Sequence, residues 1–388
     1  MNRIYLDWNA TAPLLPKVKE AMIAALDDAP GNASSIHREG QRARSVIERT
    51  RRAIARAINA PPQAVVLCGG ATEGNNQILR THAAFAEQKL GRKPHIVCSS
   101  VEHPSVIEVV EALGSQEQDV QVSLLGVDRL GRIDLDKIKE QLEAGATLIS
   151  VMWANNECGN IYPVTEIAAL CHEYGALFHT DATQALGRIP VDFEACGADY
   201  MTLSLHKMGG PKGIGAIVVR EGIVLEAMLA GGHQERGRRP GTENVPAAAG
   251  AGAAALQVVD QLDAWRQALS ERRERLLGAL TEGLDGSFEL RQDPENHLLN
   301  TINVAFHGVG GEDLLLALDL AGVSASSGSA CTAGSLEPSH VILAMGYEPE
   351  DAKRSIRLSF GPLTPISSID EAASRVIDAV TRQRSLAL

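Results

Sequence analysis

The run Ser204-Leu205-His206-Lys207-Met208-Gly209-Gly210-Pro211-Lys212-Gly213 places a lysine behind the short apolar stretch 199–203, between a hydroxyl, an imidazole and a glycine-rich turn. An aspartate, Asp181, stands just past another apolar stretch, 176–179, one helix-and-strand excursion earlier. A lysine that forms a Schiff base and an aspartate that keeps a pyridine nitrogen protonated are what pyridoxal phosphate requires of a protein. A plain strand-end salt bridge between the two is common and contributes little. It would also leave the surrounding Gly, Ser and His without a purpose.

In open parallel sheets, ligands bind beyond the carboxyl ends of the strands. The other apolar stretches also end in polar residues. Residues 64–68 run into Gly69-Gly70-Ala71-Thr72-Glu73-Gly74-Asn75, where small residues open a helical pattern; backbone N–H groups and the Thr72 hydroxyl there suit a phosphate. Residues 95–98 lead to Glu102-His103, residues 147–152 to Trp153-Ala154-Asn155-Asn156-Glu157, and residues 176–179 to Asp181-Ala182-Thr183-Gln184. Taken singly, the glycine turn is as often a tight connection as a phosphate site, and a lone histidine is more often a cap or a surface residue.

Alternation of these runs with helix-like stretches from about residue 60 to 220 predicts an α/β domain around a mostly parallel sheet. From 261 onward a charged helix over 262–278, a strand-like 301–306, and a further helix, strand and helix read as a smaller α+β unit. An Ala-rich helix near 246–259 could belong to either. The 388 residues, 45% hydrophobic, suffice for a large core. A net charge of −12 without a long basic run argues against nucleic acid as a partner. The Ala- and Gly-rich run 245–259 is too short for a membrane span, and no signal peptide opens the chain, so a soluble protein starting near Met1 is expected. Six cysteines without C-x-x-C or zinc-like spacing point to a reducing cytoplasm and no metal site.

Ala71-Thr72-Glu73, Glu102-His103, Asn155-Asn156-Glu157, Asp181-Ala182-Thr183-Gln184, Ser204-Leu205-His206-Lys207 and Gly210-Pro211-Lys212-Gly213 resemble, in order, motifs of the NifS/IscS-like cysteine desulfurases of the class V aminotransferase group. Tyr5-Leu6-Asp7-Trp8-Asn9-Ala10-Thr11, Gly31-Asn32-Ala33, Arg239-Pro240-Gly241-Thr242-Glu243-Asn244, Ser329-Ala330-Cys331-Thr332 and Arg357-Leu358-Ser359-Phe360-Gly361 extend the resemblance over nearly the whole chain. It implies the fold type I architecture of pyridoxal-phosphate-dependent transferases. A large domain, 16–260, would hold a mostly parallel seven-stranded sheet; a small domain, 1–15 and 261–388, would carry the cysteine loop; and two copies would form a homodimer.

The resemblance also implies roles. Lys207 would bear the cofactor, Asp181 would pair with the pyridinium nitrogen, Gln184 would contact the ring hydroxyl, and His103 would stack on the ring and move protons. Ala71, Thr72, Ser204 and His206 would hold the phosphate, with Thr242 reaching across from the other subunit. Asn155 and Arg357 would bind the carboxylate of L-cysteine, a contact suited to a guanidinium fork. Cys331, in a small and polar run suited to a solvent-reachable loop, would take the sulfur as a persulfide and pass it to an acceptor protein for iron–sulfur cluster or other sulfur-cofactor synthesis. The tail 384–388 lacks the extension with which housekeeping members dock a scaffold. A selenocysteine lyase or another pyridoxal-phosphate lyase or aminotransferase of this fold is the alternative, and a selenocysteine lyase would not need Cys331. A non-catalytic scaffold is the other.

Overall fold

The structure, a computed structural model, describes residues 3–116, 119–328 and 337–386. After a short β1 (Ile4–Tyr5), seven strands build the central sheet: β2 (Val65–Cys68), β3 (His95–Ser99), β4 (Gln121–Leu125), β5 (Leu148–Ser150), β6 (Leu177–Asp181), β7 (Tyr200–Ser204) and β8 (Gly215–Val219). Their order is β2-β8-β7-β6-β5-β3-β4. Only β8 runs against its neighbours, pairing antiparallel with β2 and β7. Helices cover both faces, so most of the strands are buried throughout and read in sequence as unbroken apolar runs. The carboxyl ends of β2, β3, β5, β6 and β7 consequently share one edge. The architecture is the α/β sheet expected, with one strand, β4, that the apolar runs did not reveal.

A second sheet, β12-β10-β9, is antiparallel and built from β9 (Phe288–Leu290), β10 (Thr301–Phe306) and β12 (Ser355–Ser359), while β11 (Val323–Ser324) pairs with β1. Its core includes Ile4 and Leu6 from one end of the chain with Ile302, Ile356 and Val376 from the other. The two helical stretches expected at 246–259 and 262–278 are one helix, Val245–Gly283. No proline or glycine interrupts the sequence between them, so nothing stops the first from continuing into the second. Its front half, with Ala251 and Val258, packs into the larger core and its back half, with Leu276 and Leu280, into the smaller. We propose that the two units divide inside this helix, near residue 260. No helix among the described residues is long and apolar enough to cross a membrane.

The loop that follows β8 is tied to β2 by a buried ion pair. Arg51 Nη1 and Nη2 donate to Glu235 Oε2 and Oε1 at 2.7 and 2.8 Å, and Oε2 also accepts the Leu67 N–H at 3.0 Å. Glu235 and Arg236 adopt left-handed backbone, φ 48° and 60°, a conformation that side-chain-bearing residues keep only when their surroundings enforce it. Glu235→Ala leaves a buried guanidinium without its bidentate counter-charge. The unfolding free energy from urea titration is expected to fall by about 3–5 kcal/mol. A loss under about 1 kcal/mol would contradict this role for the pair.

Candidate active site

The shared strand edge and the N-terminal segment enclose a cavity of about 610 Å³. Ala71, Thr72, His103, Asp181, Gln184, Ser204, His206, Lys207 and Arg357 all line it. At one end Gly70 takes φ 149°, open in practice only to glycine, and lies so close to β8 that a Cβ on Gly215 would stand 2.7 Å from its Cα. The helix Ala71–Leu90 then begins without a side-chain cap. Its first internal bond is Gly74 N–H to Gly70 O, so the amides of residues 71–73 precede it beside the cavity. The positive end of the helix, with Lys207 and Lys212 nearby, makes this an anion cradle. Glu73 does not spoil it, because its carboxylate pairs with Arg239 at 2.8 Å and accepts the Gly69 N–H at 2.8 Å.

Asp181, at the end of β6, is buried; Oδ2 accepts from Asn75 Nδ2 at 2.8 Å and Oδ1 from the Thr183 N–H at 2.9 Å. Asn75 gives its other proton to Ser105 Oγ at 2.9 Å, and Ser105 meets His103 Nδ1 through both its hydroxyl, at 2.8 Å, and its N–H, at 3.1 Å. An N–H can only donate, so His103 Nδ1 is the acceptor and the ring proton sits on Nε2. Burial, the largest cause, lowers the His103 pKa and favours the neutral ring. Asn75 and Ser105 carry this relay, and the sequence reading assigned neither a role. The only sequence sign was a polar side chain one turn into a helix whose neighbours Gln77 and Ile78 are buried.

Lys207 Nζ donates to the carbonyls of Asn9 and Ala10, both at 2.7 Å, and Gln184 Nε2 donates to the same Asn9 carbonyl at 3.1 Å. Gln184 Oε1 and Thr183 Oγ1 are left buried without a partner at the cavity wall. An amide cradle, a lysine, a buried aspartate and two orphaned polar atoms are complementary to a phosphate, an aldehyde, a pyridine nitrogen and a ring hydroxyl. Pyridoxal phosphate fits this set of residues. His206 joins Thr11 Oγ1 through Nδ1 at 3.0 Å; burial first, then Lys207, Lys212 and Arg188, lower its pKa to about 4 and keep it neutral.

Arg357, on β12, is 1% exposed; Nη2 donates to Asp7 Oδ1 at 2.8 Å and Nη1 to the Asn156 carbonyl at 2.9 Å, while Nε is buried without a partner. Asn155 lies behind the wall rather than on it. Its Nδ2 donates to Val101 O and its Oδ1 takes the N–H groups of Glu157 and Cys158, so it shapes the turn and its neighbour Asn156 lines the cavity. Thr242 is exposed and does not line the cavity; it lines an adjoining recess, whose Gly69 and Gly213 also border the cavity. Cys331 lies outside the described residues. The other five cysteines are buried and unpaired, and desolvation drives their thiols upward, Cys68 and Cys158 to about 12. None of the five offers a thiolate near neutral pH.

Glu102, beside His103, has an unusual ionisation. Its Oε1 accepts from Ser99 Oγ at 2.6 Å and from the Met152 N–H at 2.8 Å, while Oε2 is buried without a partner. Desolvation pushes its pKa from 4.5 up to about 8 despite those bonds. The folded state therefore holds a proton that the unfolded state releases above about pH 4.5, and the stability this lends is lost as pH rises through about 8. Glu102→Gln mimics the neutral acid at every pH. From about pH 5 to about pH 8 the unfolding free energy of the parent is expected to fall relative to the variant, by up to about 1.4 kcal/mol per pH unit. A difference that does not change with pH would contradict the neutral carboxyl.

Residues 4–371 match the family of class-V aminotransferases. A cysteine desulfurase of Gluconacetobacter diazotrophicus is 42% identical over 381 residues, 98% of this chain and 93% of its own. Among solved structures, a NifS-like protein superposes with a TM-score of 0.89 at 30% identity, over 98% of this chain and 100% of that one. SspA in complex with cysteine superposes with a TM-score of 0.80 at 30% identity, over 93% and 100%. The chain therefore belongs to the class-V aminotransferases and, within them, to the cysteine desulfurases, whose cofactor is pyridoxal 5′-phosphate.

Proposed function

We propose that the protein converts L-cysteine to L-alanine and holds the sulfur as a persulfide on Cys331. The observation that carries this reading is the meeting of Lys207, Asp181 and Arg357 in one cavity, with the chain that bears Cys331 emerging beside Arg357. Residues 71–72, Ser204 and His206 would hold pyridoxal phosphate at its phosphate, Asp181 at its nitrogen and Gln184 at its hydroxyl, and the cofactor would supply covalent capture of the substrate amine and an electron sink for its α-carbon.

The side chains divide the remaining work. Arg357 takes the substrate carboxylate; Asp7 and the Asn156 carbonyl fix its guanidinium plane in advance, and Asn155 acts as a positioning residue for that carbonyl. The Lys207 amine removes the α-proton and returns it, from a place set by two backbone carbonyls. His103 lines the cavity and, with Nδ1 accepting from the Ser105 N–H, carries its ring proton on Nε2 and enters as a hydrogen-bond donor. The Cys331 thiolate attacks the substrate Sγ. An S–S bond forms and the Cβ–Sγ bond breaks. Its electron pair stays with the carbon skeleton, which takes a proton at Cβ and leaves as alanine. Sulfur is oxidised to the sulfane level as Cβ is reduced, so no outside oxidant is needed.

Two further elements belong to the same reading. The protein works as a homodimer in the cytoplasm, and Thr242 completes the phosphate site of the neighbouring copy; its exposure and its absence from the lining of its own cavity support this. An acceptor protein then collects the persulfide sulfur for iron–sulfur cluster or other sulfur-cofactor synthesis.

Arg357→Gln removes a charge-assisted contact to the carboxylate. KM for L-cysteine is expected to rise about 100-fold, with a smaller change in kcat. An unchanged KM would remove Arg357 from the substrate site. Cys331→Ser is expected to keep the change in cofactor absorbance on adding L-cysteine while losing alanine formation. Alanine formed at the parental rate would rule out the thiolate attack and favour a lyase that needs no protein thiol.

A further inference from the structure

Glu157 takes no part in the chemistry above, yet both ends of the cysteine-bearing segment meet at its fully buried carboxylate. Ser339 Oγ donates to Glu157 Oε2. Gly328, at φ 124°, packs so closely that a Cβ there would lie 2.6 Å from the same oxygen and 3.3 Å from Ser339 Cβ. Positions 328 and 339 are thus brought together on one atom.

The carboxylate is itself well anchored. Glu157 N–H donates to Asn155 Oδ1 at 2.7 Å, and its carbonyl accepts from Asn303 Nδ2 at 3.3 Å. Asn303 is the register partner of Arg357. Ser326, two residues before Gly328, exchanges both backbone bonds with Arg357, at 3.2 and 2.6 Å. The roots of the segment are therefore tied to the strand that presents the substrate-binding arginine. Stability does not explain the arrangement. Burying a carboxylate is costly, its Oε1 has no partner, and an apolar side chain of similar size would do better.

Resting on the function proposed above, we infer that Glu157 is a positioning residue for sulfur transfer. Its carboxylate holds together positions 328 and 339, described residues that flank Cys331 in the sequence, and so sets the anchors from which the thiol has to reach the substrate sulfur.

The test compares the cofactor-loaded parent with Ser339→Ala, Glu157→Gln, Glu157→Ala and the double variant Glu157→Ala/Ser339→Ala. Two quantities are followed after adding L-cysteine: the change in cofactor absorbance, and the rate at which sulfur appears on Cys331 by mass spectrometry. The absorbance change and the half-saturating cysteine concentration are expected to stay within about twofold of the parent in all variants. Sulfur loading should fall about tenfold in Ser339→Ala and Glu157→Ala, the worth of one charge-assisted hydrogen bond. The double variant should be no slower than either single one, because both remove the same contact. Glu157→Gln, whose amide oxygen still accepts from Ser339, should recover most of the rate. Parental loading in Ser339→Ala overturns the inference, as do multiplying effects in the double variant or an equal fall in the absorbance response. If Glu157→Ala does not fold, Ser339→Ala and Glu157→Gln decide alone. A parent that never loads Cys331 overturns the function itself, a result distinct from all of these.

Discussion

One carbonyl oxygen holds the site together. Asn9 O accepts from Lys207 Nζ and Gln184 Nε2, groups delivered by two strands of the large sheet. Asn9 is itself set by the small sheet: its N–H donates to Ser359 Oγ on β12 at 3.0 Å, and its Nδ2 donates to Thr301 Oγ1 on β10 at 2.9 Å and to Asn156 O at 3.1 Å. Its Oδ1 accepts from Arg188 and Asn300. Buried polar groups must be paired, and in a low dielectric each pairing strengthens the next. A residue near the start of the chain thus registers two sheets against each other, and the cavity is the space that this registration leaves. Asp7, two residues earlier, places the Arg357 guanidinium in the same way.

The same geometry settles the electrostatics before any ligand arrives. Lys207, Lys212, Arg357 and a helix N-terminus crowd one cavity, and the protein lessens their repulsion by keeping His206 neutral and engaging Lys207 and Arg357 with carbonyls and Asp7. What remains is a positive field suited to anionic groups, in a place where little has to reorganise as charge moves.

Much of the fold could be read from the sequence because burial on both faces writes a strand as an apolar run, as at β2, β3 and β5 to β8. β4 escaped because, unlike the other edge strand β2, it is left partly uncovered: Gln121 and Leu124 face solvent, and the run loses its apolar signature. The reversal of β8 left no mark, since strand direction depends on connections rather than on side chains. Within the site, Lys207 and Asp181 were legible as chemistry, being unusual residue types at strand ends. His103, Gln184 and Arg357 acquired roles only through the family resemblance. Asn9 and Asn75 stood in quoted motifs without a role because they act through partners remote in sequence, and Ser105 drew no notice at all. Asn155 and Asn156 could not be told apart, since only the three-dimensional turn decides which of two adjacent amides faces inward.

The central claim is that sulfur leaves the substrate by attack of one protein thiol. It is tested most directly by a single turnover: cofactor-loaded protein, limiting L-cysteine and no reductant, followed by peptide mass analysis and amino-acid quantitation. The result expected is one alanine for each sulfur atom gained, with the added mass confined to the peptide containing Cys331. Alanine formed with elemental sulfur released and no added mass on that peptide, pyruvate and free sulfide in place of alanine, or sulfur spread over the buried cysteines, would contradict it.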